Sequence, residues 1–404
     1  MGDDIRHEAL CEFVATAAEE VRMPGVAVGV RSGGHEAYAC HGVTSLENPV
    51  PVDPDTAFLL GSVTKTYTAT ALMCLVADGQ LNLTAPVRDY LPELRLADER
   101  ATAQITVRHL LTHTSGLGWG LIADTGEGDD ALTRYVGRLA ELEQVGSPGN
   151  RASYSQAGFN MAGRILEKVT ERSYEQAIAS LLFEPLGLAH SYFHRDDVMT
   201  RRFSVGHNLG QDDRLHVARL WRRARGDNPA GGLVSSAADQ LRWAAFHLGG
   251  GYVNGSGRVL PARVLAQMRE PTVTLRGSTL GDAIGLGWFV RDIDGVRAVG
   301  HGGTANGQFA ELLLVPERDF AVVSLANAGP DGLAFNQAVL RWTLETYLGV
   351  THRDPEPPPY DEALTRELLR RYEGEAALGP HGGRRWLGPP RRARGECRVF
   401  GRRP

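Results

Sequence analysis

Strand-forming patterns lie near both ends of this 404-residue chain, and helix-forming patterns fill its middle. Residues 25–31 and 36–41 flank a Ser-Gly-Gly segment, which predicts a hairpin. Later strands are predicted at residues 286–292, 296–300, 309–315 and 320–326. Strands at the two ends and helices between them predict an antiparallel sheet that the C-terminal strands complete.

The predicted fold class is α/β (α+β): an antiparallel sheet flanked by helices, joined to an all-α domain. The α/β part is expected over about residues 1–85 and 281–352, and the all-α part over about residues 86–280. Residues 353–404 read as a linker followed by an Arg/Gly/Pro-rich tail, which is expected to be poorly ordered. The alternative to a solvated tail is contact of its arginines with nucleic acid or acidic lipid.

The segment Ser62-Val63-Thr64-Lys65 opens a predicted helix over residues 62–78 that is apolar on nearly all faces and should be buried. Residues three apart share a helix face, so the Lys65 amine can reach the Ser62 hydroxyl. A serine hydroxyl is a weak nucleophile that needs a base, and burial favours the neutral lysine that can act as one. Taken alone, this S-x-x-K motif also fits an ordinary helix start.

Two further polar motifs accompany it. Tyr154-Ser155-Gln156 follows a Pro-Gly turn and precedes a helix predicted from residue 158 to 170. Residues 300–304, Gly-His-Gly-Gly-Thr, follow a predicted strand where backbone would reach the edge of a site. The three motifs together indicate nucleophilic chemistry more strongly than any one of them.

Several longer phrases occur in a fixed order between about residues 24 and 349: TAFLLGSVTKTYTA, ITVRHLLTHTSGL, PGNRASYSQAGFNMAGRILEKVT, FEPLGL, NPAGGLVSSAADQ, GLGW and GHGGTANGQFAELLLVPE. In these phrases the chain resembles the serine β-lactamase and penicillin-binding-protein (DD-peptidase) superfamily. The similarity is to its class C β-lactamase-like branch, which contains esterases, D-aminopeptidases and transacylases. The resemblance implies a β-lactamase-like catalytic domain over residues 1–352, with the site between the sheet and the all-α part.

The resemblance also implies roles for individual residues. Ser62 would be the nucleophile, Lys65 its proton partner, and Tyr154 a second acid or base, with no metal or other cofactor. The backbone N–H groups of Ser62 and Thr304 would form an oxyanion hole. His301 is counted with these catalytic residues, and three more residues are implied to bind substrate: Gln156, Gly302 and Gly303.

Two positions depart from the usual motifs of the superfamily. Gln156 stands where Asn is usual, so the reach of the amide toward a substrate carbonyl changes. His301 stands where β-lactamases and DD-peptidases carry a Lys that anchors a substrate carboxylate. A histidine, with an ordinary pKa of about 6.5, is mostly neutral at pH 7 and anchors a carboxylate poorly. His301 therefore resembles the esterase and D-aminopeptidase members, and a purely structural turn residue is the alternative.

Other features exclude classes of protein and site. A formal net charge of -5 gives no reason to expect nucleic acid as a partner. No run of about 18 apolar residues is present, so no membrane partner is expected. The four cysteines lack metal-ligand spacing, and the N-terminal segment lacks a secretory pattern. A cytoplasmic location is the expectation.

Histidine and aromatic residues offer weaker signals. His109 and His113 have the i, i+4 spacing of zinc ligands but no zincin glutamate, so a metal site is not expected. Four aromatic residues could line a pocket, although core packing is the commoner role of such residues: Trp119, Tyr174, Trp288 and Phe309.

The predicted activity is acyl transfer through an acyl-Ser62 intermediate, from a small-molecule ester or amide to water, an amine or an alcohol. An esterase, amidase or transacylase is favoured, and a biosynthetic pathway is one setting for it. A D-amino-acid peptidase, DD-carboxypeptidase or weak β-lactamase is the alternative among enzymes. A catalytically silent binding or scaffold protein is the alternative outside them, and the intact Ser62, Lys65 and Tyr154 argue against it.

Overall fold

The computed structural model of the chain describes residues 2–121, 123–221, 224–253, 257–276 and 278–352. By its internal contacts the chain divides into two units, and the described residues lie in the first, Met1–Pro355, whereas the second is Glu356–Pro404. The second unit lies outside the described residues, as does the tail predicted over residues 353–404. The described helices and strands all belong to the first unit.

The strands among the described residues are β1 (Gly25–Ser32), β2 (His35–Gly42), β3 (Phe58–Leu59), β4 (His207–Leu209), β5 (Leu215–Val217), β6 (Val234–Ser235), β7 (Tyr252–Val253), β8 (Gly257–Arg258), β9 (Val273–Thr274), β10 (Ala283–Ile284), β11 (Phe289–Ile293), β12 (Val296–Ala305), β13 (Gln308–Val315), β14 (Phe320–Ala326) and β15 (Ala328–Gly329). The main sheet has the order β2-β1-β14-β13-β12-β11-β10-β9. Its neighbouring strands all pair antiparallel, and β1 lies beside β14 with Val26 opposite Ala326. The predicted antiparallel sheet, completed by C-terminal strands, is confirmed.

The helices among the described residues are α1 (Gly2–Glu20), α2 (Thr64–Ala77), α3 (Glu99–Gln104), α4 (Val107–Leu111), α5 (Ala131–Gly137), α6 (Gln156–Thr170), α7 (Tyr174–Ile178), α8 (Glu184–Leu186), α9 (Arg195–Val198), α10 (Asn228–Gly231), α11 (Ala237–Leu248), α12 (Ala262–Arg269) and α13 (Gly332–Thr343). Short 3₁₀ turns precede α2 and α10, and π-helical turns extend α7 and α13. None of the helices in the described ranges is long and apolar enough to cross a membrane.

The sheet separates two hydrophobic clusters because alternate residues of a strand point to opposite faces. In β1, Val26 and Val28 belong to the cluster that includes residues of α1 and α13, whereas Ala27 belongs to the cluster that includes residues of α2, α6 and α11. Gly29 faces α11, where a Cβ would lie 3.0 Å from the Leu241 side chain, so the helix packs very close to the strand. The larger cluster joins the sheet to the helical middle of the chain and surrounds the start of α2.

Three element boundaries differ from the sequence-based expectation. No element was predicted before residue 25, yet α1 buries Leu10, Val14 and Ala18, which recur every four residues on one face. Strand β12 continues to Ala305 instead of ending at residue 300, because its glycine-rich end still pairs with β13. Strand β11 begins at Phe289, after Gly287 at a φ of +77°.

Candidate active site

Ser62 lies in a 3₁₀ turn, Gly61–Val63, that leads directly into α2. Gly61 has a φ of +52°, a backbone conformation that favours glycine. The hydroxyl of Thr64 donates to the carbonyl oxygen of Gly61 at 2.6 Å and accepts from the backbone N–H of Leu233 at 3.1 Å. The turn is thereby fixed at both sides, with Ser62 partly exposed at the positive end of a buried helix.

Lys65 is fully buried one helical turn after Ser62. Its Nζ donates to Ser62 Oγ at 3.0 Å and to the carbonyl oxygen of Ala230 at 2.7 Å, and it also donates to Gln156 Oε1. These acceptors match the three N–H bonds of an ammonium group. The predicted contact between Ser62 and Lys65 is present, and Gln156 lies beside them.

Tyr154 is the third predicted residue at this point. Lys65 Nζ lies 4.9 Å from the centroid of the Tyr154 ring. Burial raises the pKa of the Tyr154 hydroxyl above its ordinary range, and a hydrogen bond with Ser62 opposes that rise. The ring of His113 packs at 4.4 Å from that of Tyr154, and His113 Nδ1 accepts from the backbone N–H of Ser155 at 3.1 Å. His113 therefore supports the segment that carries Tyr154.

His301 lies on β12 in the wall of the same cleft and is only 3% exposed. Its Nδ1 lies 2.6 Å from the carbonyl oxygen of Gly302, whereas its Nε2 is buried without a hydrogen-bond partner among the described residues. The rings of Phe289 and Tyr154 lie at 5.0 and 6.3 Å from the imidazole. Burial, aided by the nearby charge of Lys65, lowers the pKa of His301 to about 3. The imidazole is therefore neutral at pH 7.

The glycine-rich end of β12 passes directly against the turn that carries Ser62. A Cβ on Gly303 would lie 1.9 Å from the carbonyl oxygen of Leu60 and 2.9 Å from the backbone nitrogen of Ser62. A Cβ on Gly61 would lie 2.6 Å from the backbone nitrogen of Thr304. Glycine at both positions lets the backbones of Ser62 and Thr304 approach each other, and the predicted pair of oxyanion-hole donors needs such an approach.

A short helix, α10, supplies the carbonyl oxygen of Ala230 that accepts from Lys65. At the start of α10, Asn228 Nδ2 donates to Glu175 Oε1 at 2.7 Å. Arg225 donates to both oxygens of Glu175, at 3.1 and 2.9 Å. Burial is the largest influence on the pKa of Glu175 and raises it, but the hydrogen bonds and charge of Arg225 together with the hydrogen bond from Asn228 outweigh burial, so the pKa is lowered. Sequence reasoning missed this buried ion pair because its members are 50 residues apart.

Ser62, Tyr154, Gln156 and His301 line a cleft of about 1420 Å³. Of the four aromatic residues considered from the sequence, Trp119 and Phe309 line it, whereas Tyr174 and Trp288 are core residues. Its other polar lining includes one guanidinium and several carboxylates, which belong to Arg291, Asp227, Asp282, Asp292, Asp294 and Glu311. The cleft therefore carries an excess of negative charge.

The two histidines with zinc-like spacing have other partners. His109 Nδ1 accepts from the backbone N–H of Thr106 at 3.2 Å, at the start of α4, and His113 Nδ1 accepts from Ser155. Across the described ranges, no group of three or more His, Cys, Asp or Glu residues is arranged to hold a metal ion.

Comparison with known proteins gives consistent matches over most of the chain. A family model described as Beta-lactamase matches residues 11–344. Penicillin-binding protein 4 of Amycolatopsis lactamdurans is 35% identical over 366 residues, which cover 88% of this chain and 94% of that protein. The crystal structure of SurE with D-Leu has a TM-score of 0.76 at 26% identity, over 88% of this chain and 79% of that one. A class C beta-lactamase from Rhodobacter sphaeroides has a TM-score of 0.68 at 25% identity, over 82% of this chain and 99% of that one.

Proposed function

The chain belongs to the Beta-lactamase family and is a serine hydrolase of the β-lactamase and penicillin-binding-protein type, and from that premise we propose that it transfers the acyl group of an uncharged small-molecule ester or amide through Ser62. The acceptor is water, an amine or an alcohol. The family and fold expected from the sequence are confirmed; the substrate and the roles of individual residues are the proposal.

In the proposed reaction, Ser62 Oγ attacks the substrate carbonyl carbon while its proton passes to the Lys65 and Tyr154 pair. The backbone N–H groups of Ser62 and Thr304 stabilise the oxyanion that forms. The carbon–oxygen or carbon–nitrogen bond of the substrate then breaks, and the same pair returns a proton to the leaving group. Water, an amine or an alcohol attacks the acyl-Ser62 ester by the reverse sequence and restores the hydroxyl. The supporting distance is 3.0 Å from Lys65 Nζ to Ser62 Oγ.

The neutrality of His301 is the single observation that carries the choice of an uncharged substrate. With a pKa of about 3, the imidazole gives no positive charge to the cleft at pH 7. A substrate carboxylate placed against the imidazole would lose water without gaining a cation from His301, which is unfavourable, and the nearby Arg291 already faces Glu311 at 4.0 Å. The excess of carboxylates in the cleft lining acts in the same direction.

A substrate that contains a D-amino acid is a second candidate. It is favoured by the similarity to SurE, whose crystal structure was determined with D-Leu. An amide or ester of a D-amino acid with an uncharged leaving group is compatible with both candidates. Paired D and L substrates separate them, because the first candidate requires no preference for the D form.

A panel of esters and amides tests the proposal. Each acyl group is offered with an uncharged and with a carboxylate-bearing leaving group, and product formation is followed by chromatography at pH 7 to 8. We expect turnover of uncharged members, and a new amide product when an amine is added if the protein is a transacylase. Faster turnover of the carboxylate-bearing members would contradict the proposal that the substrate is uncharged. Turnover that persists in Ser62→Ala would contradict the whole proposal, with Ser147→Ala, an exposed loop serine, as the control.

A further inference from the structure

The imidazole of His301 has one nitrogen engaged and the other without a partner. A carbonyl oxygen can only accept a hydrogen bond, so the 2.6 Å contact with Gly302 requires that Nδ1 carries the proton and donates. Nε2 is then the nitrogen with a free lone pair, and it is buried with no partner among the described residues. The low pKa of His301, which results from burial and from the charge of Lys65, keeps a second proton off this nitrogen at pH 7. Where a lysine would offer a cationic donor, this chain offers a neutral acceptor.

We infer that Nε2 of His301 accepts a hydrogen bond from the substrate, so that the enzyme selects esters or amides with an N–H or O–H donor on the part that lies against β12. This inference rests on the proposed function and narrows its substrate class. A primary carboxamide, a hydroxyl and a secondary amide carry such a donor. A carboxylate does not, because an ionised carboxylate only accepts and would face the lone pair of Nε2.

Because His301 is buried among aromatic rings, it matters which group forms a hydrogen bond with its Nε2. The Phe289 and Tyr154 rings pack near the imidazole at 5.0 and 6.3 Å, and the residue is 3% exposed, so solvent has little access to it. A buried acceptor without a hydrogen-bond partner is unfavourable. A substrate donor that reaches Nε2 forms a hydrogen bond there without breaking another of equal strength. A site built to hydrogen-bond a substrate group rejects an isostere that lacks the donor more strongly than a purely apolar pocket does.

Three matched esters, acyl–O–CH₂–CO–X with X as NH₂, CH₃ or O⁻, test the inference on the leaving group. A second series places the same three X groups at the far end of the acyl chain. The carboxamide and the methyl ketone have nearly the same size and charge and differ in the donor. In one of the two series we expect kcat/KM for the carboxamide to exceed that for the ketone roughly three- to tenfold, the range of one neutral hydrogen bond. The carboxylate should be the slowest member of that series.

The variant His301→Phe keeps a ring at this place but removes the acceptor. The ratio of carboxamide to ketone is the readout, so a loss of activity that affects both substrates equally leaves it interpretable. We expect this ratio to fall to about one in the variant. If the variant does not fold, inhibition of the wild-type protein by the unreactive amide HO–CH₂–CO–NH₂ and by its ketone analogue gives the same comparison.

If the wild-type protein turns over the carboxamide and the ketone at equal rates in both series, the inference is overturned. That result would indicate that Tyr154 or another group of the protein forms a hydrogen bond with Nε2 during catalysis. An unchanged ratio in His301→Phe would overturn it as well. Neither result touches the proposed function, which fails separately if no uncharged ester of either series acylates Ser62.

Discussion

Around Ser62, hydrogen bonding limits which groups can move a proton. While Lys65 is an ammonium, Ser62 Oγ, Gln156 Oε1 and the carbonyl oxygen of Ala230 all accept from it. In the proposed mechanism Lys65 can therefore take the Ser62 proton only after one of its own has left. Tyr154, which packs against Lys65 and hydrogen-bonds with Ser62, is placed to exchange that proton. Gln156 reaches Lys65 despite standing where Asn is usual, so the longer amide serves this network.

His301→Lys tests the residue that distinguishes this site from those of carboxylate-binding relatives. A lysine at this position would add a charge-assisted hydrogen bond worth roughly 1.5–3 kcal/mol to a substrate carboxylate. We expect relative kcat/KM to shift toward the carboxylate-bearing ester by about one to two decades, if the bond also forms in the transition state. Matched ester pairs assayed at pH 7 to 8 on both proteins provide the measurement. An unchanged preference in a folded variant would mean that another residue recognises that end of the substrate.

Local spacing explains why the catalytic candidates could be predicted from the sequence. Ser62 and Lys65 are three residues apart on one helix, so their contact follows from helix geometry alone. The pKa of His301 could not be predicted, because it depends on burial by Phe289 and Tyr154 from other elements. The pairing of Glu175 with Arg225 was equally hidden, since only the fold brings α7 to the turn before α10.

At the scale of secondary-structure elements, two backbone segments hold the site from opposite sides. The end of β12 approaches the Ser62 turn so closely that Gly303 has no room for a side chain. On the other side, α10 binds Lys65 through Ala230 and is held in turn by Glu175. Both contacts join segments distant in sequence: the first is between two backbones, and the second is a hydrogen bond from the Lys65 side chain to the backbone of α10.

Gly303→Ala tests the approach of β12. The added Cβ would overlap the carbonyl oxygen of Leu60, so the strand must move away from Ser62. Loss of one oxyanion-hole donor lowers kcat by about 10²- to 10³-fold, and we expect a decrease of that order. Gly137→Ala, where the new Cβ meets no atom within 4 Å, is the matched control. Steady-state kinetics on an uncharged ester provide the measurement, and near-normal kcat in Gly303→Ala would argue against this oxyanion hole.

Glu175→Ala tests the support of α10. The change removes the buried carboxylate partner of Arg225, which keeps only the exposed Asp129 and a backbone carbonyl, and it releases Asn228, so both stability and the position of Ala230 should suffer. Leaving a buried charge unpaired costs about 3–5 kcal/mol, and because Asp129 still pairs with Arg225 we expect a smaller loss, which urea unfolding measures directly. In the folded fraction we expect kcat to fall more than KM rises, because Lys65 loses its fixed acceptor. Glu141→Ala, which breaks an exposed ion pair with Arg138, is the control and should change neither quantity appreciably.

For the molecule as a whole, buried titratable groups link stability to pH. Burial lowers the pKa of five histidines, of which two, His113 and His301, both pack against Tyr154 in the site: His109, His113, His207, His247 and His301. Below pH 6.5, the ordinary pKa of histidine, these side chains take up protons in the unfolded chain that they do not take up in the folded chain. Their contribution to stability is therefore complete above pH 6.5 and is lost as the pH falls. Buried carboxyls whose pKa is raised, such as Glu311, contribute with the opposite sign above their ordinary pKa.

His247→Gln separates the histidine contribution from that of the carboxyls, because His247 lies among Trp243, Phe246 and Trp288, away from the cleft. The buried imidazole makes the free energy of unfolding fall as the pH decreases below 6.5. Well below pH 6.5, we expect that fall to be smaller in the variant than in the wild-type protein by about 1.4 kcal/mol per pH unit. Urea unfolding at several pH values between 7.5 and 5 measures the slope. Ser147→Ala, at an exposed loop position, is the control and should keep the wild-type slope, and an unchanged slope in His247→Gln would contradict the neutral buried imidazole.

The central claim, that acyl transfer passes through Ser62, is tested most directly by trapping the intermediate. The protein is mixed with a slowly hydrolysed uncharged ester, quenched in acid, digested and analysed by peptide mass spectrometry. We expect one acyl group per chain, on the peptide that contains Ser62, and none in Ser62→Ala, whose turnover should also fall by several orders of magnitude. An acyl group on any other residue, or undiminished turnover in Ser62→Ala, would contradict the account.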